Sequence, residues 1–388
     1  MPFPEPSLPR FQHGFSLVEI MVAMVIGMFG VVIMMQMLSI SESQKRNVSG
    51  AGDAQNAGAI ALYGLQRDVG MAGYGITMYN LLGCNMTMPS GVAIPVAPVV
   101  INPATAIVPA GDPNSDRLLV SYGSADAAPQ GNTITTNAAP TYTVSSIGFV
   151  SVNDYVFTAP APAAPCAGNL VLDRVTVVNG NVVTVATGAV GTTLYNLGKT
   201  FKVLAYAVRD GNLTVCDYVL NNCGDAAQTG DLTRWVPVAA NVVSLLAQYG
   251  RDNNSNVPAL TQTQIDAVIN AVPNAPHPPP TYFVDTYDQT TPTAGVVATP
   301  TNLHPTPPCG WARIPAVRLA LTVRNAQYEK DVVTLAAPAW EGSATLPIDA
   351  SKNPDGTVNA DWGHFRYKVF QTTVPLHNVA WMGVQAGC

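Results

Sequence analysis

Between Phe15 and Ile40 this chain runs for 26 residues with a single charge, Glu19. A helix spans a bilayer with about 20 apolar residues, so the run is long enough to be a membrane anchor. The carboxylate constrains it most. An acid at the centre of such a helix costs roughly 2.5–3.5 kcal/mol on insertion scales, so it needs a dedicated partner. No lysine, arginine or histidine inside the run can serve. Ala23, Gly27 and Gly30 form a small-residue face that lets another helix approach closely, although such residues are frequent in any membrane helix. Flanking charge leaves the orientation open, because Arg10 precedes the run while Lys45 and Arg46 follow it.

Upstream, Met1 to Gly14 carries Arg10, His13 and prolines at 2, 4, 6 and 9, and reads as a polar leader. A secretory signal would close its apolar core with a small-residue cleavage site. None follows here, so the apolar segment is expected to be retained, with any cleavage before it. The residues Gly14-Phe15-Ser16-Leu17-Val18-Glu19-Ile20-Met21-Val22-Ala23 resemble the processing site of type IV prepilins. That resemblance implies a prepilin peptidase that cuts after Gly14 and methylates the new amino terminus, Phe15. It also supplies the missing partner: in a growing filament the Phe15 ammonium of one subunit would meet the Glu19 carboxylate of its neighbour. Pairing offsets two desolvation penalties that neither charge bears well alone.

All six cysteines, Cys84, Cys166, Cys216, Cys223, Cys309 and Cys388, lie beyond the anchor. An even, dispersed set on the far side of a membrane fits an oxidising compartment. Cys216 and Cys223 enclose a short loop that a local disulfide would close. The other four allow three pairings. Zinc is the rival reading, disfavoured because there is no Cys-x-x-Cys spacing and no histidine near Cys216 or Cys223.

Past the anchor, Ala54, Gly58, Ala61, Leu65, Val69 and Ala72 recur at helical spacing, a stripe that faces either the following domain or another subunit. Gly70, Gly73 and Gly75 mark the stop. The remainder has β-rich composition, with the chain's 32 prolines and 32 glycines and few charges. Asn179-Gly180 and Asp210-Gly211 are hairpin signals between valine-rich runs, and Arg117–Tyr122 reads as a strand after a turn. Val317, Leu319, Leu321 and Val323 alternate with Arg318 and Arg324, and Phe365, Tyr367 and Val369 with Arg366 and Lys368, so each set predicts one buried strand face. Together these predict one antiparallel sheet domain on the rear of a long helix, an α+β arrangement.

The stretch Leu65 to Gly75 resembles the end of the first helix in PilW-type minor pilins. Trp235 to Asp252, ending Tyr249-Gly250-Arg251-Asp252, and the strands Val317–Arg324 and Arg366–Asn378 resemble further segments of that family. The resemblance implies a type IV pilin-like fold. Its parts would be a leader (1–14), a transmembrane half-helix (15–40), an amphipathic half-helix (41–76) and a β-rich globular domain (77–388) facing the periplasm. Proline-rich stretches at Ile94–Pro113, Ala159–Pro165 and Pro273–Pro308 are expected to be exposed loops or insertions.

No nucleophile elbow, His-Glu-x-x-His helix or phosphate loop is present, and the five histidines are scattered, so no enzyme and no cofactor are expected. Asp252, Asn254 and Asn256, and Asp112, Asn114 and Asp116, place oxygens at alternate positions. Neither set completes an EF-hand; polar turns explain both, with calcium the alternative, more at the first set than at the second. The net charge of −6, unchanged on loss of residues 1–14 because Glu5 and Arg10 cancel, disfavours nucleic acid as a partner. The resemblance instead implies the prepilin peptidase, other minor pilins, the major pilin, the assembly platform and the inner membrane as partners. It implies a structural role in priming pilus assembly at or near the filament tip. A minor pseudopilin of type II secretion, or a tip adhesin or DNA-uptake module, is the alternative.

Overall fold

A computed structural model describes residues 16–76, 79–124, 130–148, 150–160, 166–168, 170–252, 282–292 and 307–380. It has two compact units, Met1–Gly52 and Asp53–Cys388. Helix α1 (Leu17–Met71) begins in the first, where Leu17–Glu42 is long and apolar enough to cross a membrane.

In the second unit, the later turns of α1 bury the stripe read from the sequence: Gly58, Ala61, Leu65, Val69 and Ala72 are buried and Ala54 packs beside them. The helix stops because Gly73 (φ 81°) and Gly75 (φ 70°) adopt left-handed backbone open to glycine. The Gly73 N–H turns to Ser121 O, while Asn378 Nδ2 donates to the terminal carbonyls of Met71 and Ala72.

Strands β1 (Asn85–Thr87), β2 (Ala93–Pro95), β3 (Val99–Ile101) and β4 (Leu118–Tyr122) follow. Next come β5 (Asn132–Ala138), β6 (Thr141–Val144), β7 (Tyr155–Ala159), β8 (Leu170–Asn179), β9 (Val182–Val185) and β10 (Thr193–Gly198). These six close a ring in the order β8-β7-β10-β5-β6-β9-β8, every pair antiparallel. The result is a small barrel around Tyr142, Val144, Val156, Val175, Val183 and Leu194, and closure removes its sheet edges. β1 joins its rim by a parallel pairing with β8.

A second sheet, ordered β13-β12-β11-β4-β3, adds β11 (Lys202–Arg209), β12 (Asn212–Asp217) and β13 (Val236–Ala240). Asp210 and Gly211, both at positive φ, turn β11 into β12 as the hairpin signal predicts. The third sheet, β15-β14-β16-β17, comprises β14 (Val242–Arg251), β15 (Thr286–Asp288), β16 (Ala316–Arg324) and β17 (Tyr367–Pro375). Two short helices, α2 (Pro307–Ala312) and α3 (His377–Ala380), complete the described chain. Val317, Leu319, Leu321 and Val323 lie fully buried in the main core with the helix stripe.

Three expectations change. Among the described residues there are three sheets rather than one. Residues 94–113 are not an exposed loop: Ile94, Val96, Val99, Val100, Ile101 and Val108 are core, because the prolines there punctuate short buried strands. On β17, the helix-side face is Lys368, Phe370, Thr372 and Val374, in register with Val323, Leu321, Leu319 and Val317, and Phe365 falls before the strand. Tyr367 and Val369 turn to the opposite face, where the connection 325–366 lays Trp340, Leu346 and Ile348 over Leu246 and Ala320. A sheet covered on both faces does not show the simple alternation expected of a half-buried strand.

Candidate functional site

Two places on α1 stand out: its start and the point where its end meets the sheets. Gly14 and Phe15 lie outside the described residues. The first turn of the helix is described, and there the Ser16 N–H donates to Glu19 Oε2 at 3.4 Å. An acid in the first turn is favoured by the positive end of the helix dipole. The carboxylate thus leans toward the end of the helix to which Phe15 is joined.

At the other end, Asp68 is buried on the sheet-facing side of α1. Its Oδ2 accepts from the Tyr206 hydroxyl of β11 at 2.5 Å, and its Oδ1 from Arg67 Nη2 at 3.1 Å and the Tyr122 hydroxyl of β4 at 3.4 Å. Burial, reinforced by the Asp68 charge, pushes the Tyr122 hydroxyl up to about 12 and raises that of Tyr206 further. The arginine–aspartate pair of the helix end is therefore a latch, with the arginine outside and the aspartate under two tyrosines. Arg67 and Asp68 fall within the Leu65–Gly75 stretch that carries the family resemblance, whereas no sequence signal pointed to the two tyrosines, which lie 54 and 138 residues away from Asp68.

Tyr249 is a second latch. Its hydroxyl accepts from the Ile101 N–H at 2.7 Å and donates to Val99 O at 3.2 Å, tying β14 to β3, and its ring meets Trp311 edge-on. Burial lifts this hydroxyl to about 12.

The described members of the oxygen-rich fragments make contacts within the fold. Asp252 is fully buried, accepts from the Tyr282 N–H at 2.6 Å and lies beside the buried Arg313, whose guanidinium it helps keep charged against burial. Asn254 and Asn256 lie outside the described residues. Asp112 caps the β11–β12 turn through the Asp210 and Gly211 N–H groups, Asn114 donates to Asp349, and Asp116 accepts from Asn102, Gln289 and the Ala247 N–H. These three side chains diverge to separate partners. Among the described residues no group of three or more His, Cys, Asp or Glu could hold a metal ion.

Cys216 is bonded to Cys223 and Cys84 to Cys166, which settles one of the pairings left open; Cys309 is also in a disulfide, and Cys388 lies outside the described residues. A cleft of about 140 Å³ between the β11–β12 turn, the start of β14 and residues 349–354 is lined by Asp112, Asp210, Asp349, Arg324 and Lys352. Asp112 and Asp349 there are already engaged in the turn contacts just described.

An apolar amino-terminal helix that leads into a β-rich globular domain, with an acid in its first turn, is the build of a prepilin-type protein. Residues 9–35 match the model of the prokaryotic N-terminal methylation motif, and residues 205–378 match that of Type IV Pilus-assembly protein W, abbreviated PilW. Together the two matches support a PilW-type type IV pilus-assembly protein. The PilW match runs from β11 to α3 and leaves the barrel outside it. Neither the comparison with curated proteins nor that with solved structures finds a match. The motif and the single amino-terminal apolar helix indicate membrane anchoring, and the family is one of pilus assembly.

Proposed function

We propose that this chain is a minor pilin, a structural subunit that primes type IV pilus assembly and is incorporated at or near the filament tip. Cleavage after Gly14 exposes Phe15, which is methylated, and its ammonium pairs with Glu19 of an adjoining subunit. The observation that carries this reading is Glu19 itself: it is the one charge between Phe15 and Ile40, it sits in the first turn of the helix, and it lies within a methylation motif. Its desolvation is offset only if a cation reaches the same depth. The globular unit faces the periplasm, where its disulfides form, and the partners are the prepilin peptidase, the assembly platform and other pilins.

The test is paired. Mass spectrometry of the membrane-extracted protein is expected to show methylated Phe15 as the first residue. Glu19→Ala is expected to insert normally and yet fail to enter sheared pili. Incorporation of the variant at the wild-type level would exclude the charge pair, and an intact Met1 in piliated cells would exclude processing.

A further inference from the structure

The sheets of the globular unit end in edges, and nearly all of these are protected against pairing with another chain. The barrel closes on itself. β2, β3 and β15 are three residues long, and the Ile101 N–H and Val99 O of β3 are occupied by the Tyr249 hydroxyl. β13 carries Pro237, which has no N–H to offer. Short edges and prolines are how soluble proteins discourage edge-to-edge association.

β17 is different. It is nine residues long and pairs with β16 along one side, while on the other no main-chain group from Tyr367 to Pro375 hydrogen-bonds to any described residue. Both core layers stop incomplete on this strand. Phe370 is a half-buried member of the core under α1, and Val369 a half-buried member of the core under the 325–366 connection. One further strand would complete both. Lys368, exposed, is the only charge between Tyr367 and Pro375 and has no acidic partner among the described residues, whereas neighbouring Arg366 is held by Glu329.

We propose that β17 is a docking edge that accepts an extended segment of a different polypeptide by strand addition. That segment would place two successive apolar side chains, one on each face, beside Phe370 and Val369 and carry a carboxylate opposite Lys368. Main-chain bonds would supply affinity and the alternate side chains specificity, with a cross-strand ion pair fixing register. A second copy of this chain is not the occupant proposed, because β17 against β17 would place Lys368 without an acid on either strand. This contact is additional to the Phe15–Glu19 pair and can fail while that pair stands.

The test uses the full chain in piliated cells, with photo-reactive benzoylphenylalanine in place of exposed Thr373 and, as control, of Val190 between β9 and β10. Irradiation is expected to give an adduct from position 373, absent from 190, that peptide mapping assigns to a segment of another protein with successive apolar residues next to an acid. Adjacent residues of a strand turn their N–H groups to opposite sides, so of Gln371→Pro and Thr372→Pro one keeps every bond to β16. That variant is expected to retain its Tm and lose the adduct. Lys368→Glu, a surface change, gives the same reading should both prolines unfold the sheet. No adduct above control, an adduct to a second copy, or an adduct unaffected by these substitutions would overturn the proposal.

Discussion

The Asp68 carboxylate at the end of α1 and the Tyr206 hydroxyl of β11 are hydrogen-bonded at 2.5 Å, and both residues are buried. The bond fixes the rotation of the helix on the sheet, since only one helical face can present Asp68 to Tyr206 while Leu65 and Val69 enter the core. Tyr206→Phe removes the donor and leaves the carboxylate desolvated with weaker partners. A loss of about 1–3 kcal/mol in chemical denaturation is expected. Tyr122→Phe, at a longer and half-buried bond, should lose less. A spectrophotometric titration checks the same geometry, because the Tyr122 hydroxyl is held up to about 12 by burial and by Asp68. In Asp68→Asn it should ionise at lower pH.

Gly58 is where α1 lies against the third sheet. A Cβ there would stand 2.5 Å from Phe370 Cε2, 2.8 Å from Cδ2 and 3.2 Å from Val323 Cγ1. Gly58→Ala improves helix propensity by up to about 1 kcal/mol, yet must displace a packed ring at about 1–3 kcal/mol. Net destabilisation is expected, read as a lower Tm. In the Gly58→Ala/Phe370→Ala double variant the two effects should be less than additive, because the cavity left by the ring receives the new methyl. Gly64, with open space around it, gives the control: Gly64→Ala should be neutral or stabilising.

The contrast between Gly58 and the barrel shows what a sequence can and cannot disclose. Gly58 stands in a stripe of period 3.6, and β16 alternates valine and leucine against arginine, so helix, stop and strand were legible from local pattern. Asp210-Gly211 was legible because few residue pairs adopt positive φ twice in succession. The barrel was not. Its outward positions are threonine, asparagine and valine rather than charged, as in β5 and β9, so inside and outside differ little in hydropathy. Ring closure, moreover, depends on pairing strands far apart in sequence. The methylation motif matched over residues 9–35 was legible as chemistry, since an acid in a lipid-length helix demands an explanation. Tyr206 and Tyr122 carried no signal, because a tyrosine in a strand is unremarkable until the fold brings it to Asp68.

Asp173 ties down the chain after β9. Its carboxylate accepts from the N–H groups of Arg174, Ala186, Thr187 and Gly188 and from the Thr187 hydroxyl. Burial alone would raise its pKa, but these donors together outweigh burial and hold it below the ordinary aspartate value. A carboxyl depressed in the folded state contributes stability that is fully present above its unfolded pKa of about 3.9, and loses it as pH falls through the folded value. The wild-type Tm should therefore exceed that of Asp173→Asn at neutral pH, and the gap should close as acid protonates Asp173 below about pH 4. A gap that stays constant down to the lowest pH measured would show that the charge contributes nothing.

Cys84–Cys166 joins the segment after α1 to the approach to β8 across 82 residues, whereas Cys216–Cys223 spans 7. Cross-links act largely by restricting the unfolded chain, and the restriction grows with the logarithm of the loop. The loop formula gives about 4.5 kcal/mol for the first and about 2.5 kcal/mol for the second. Replacing both cysteines of a pair by serine should rank them in that order in guanidinium titrations of the full chain, with the difference near 2 kcal/mol. The longer bridge also encloses β5, β6 and β7, so its loss is expected to expose the barrel first. Limited proteolysis of Cys84→Ser/Cys166→Ser should cut between Asn132 and Ala159 before it cuts β14–β17. Equal cutting of both regions would mean that the barrel is held by its pairing with β1 and needs no covalent tether.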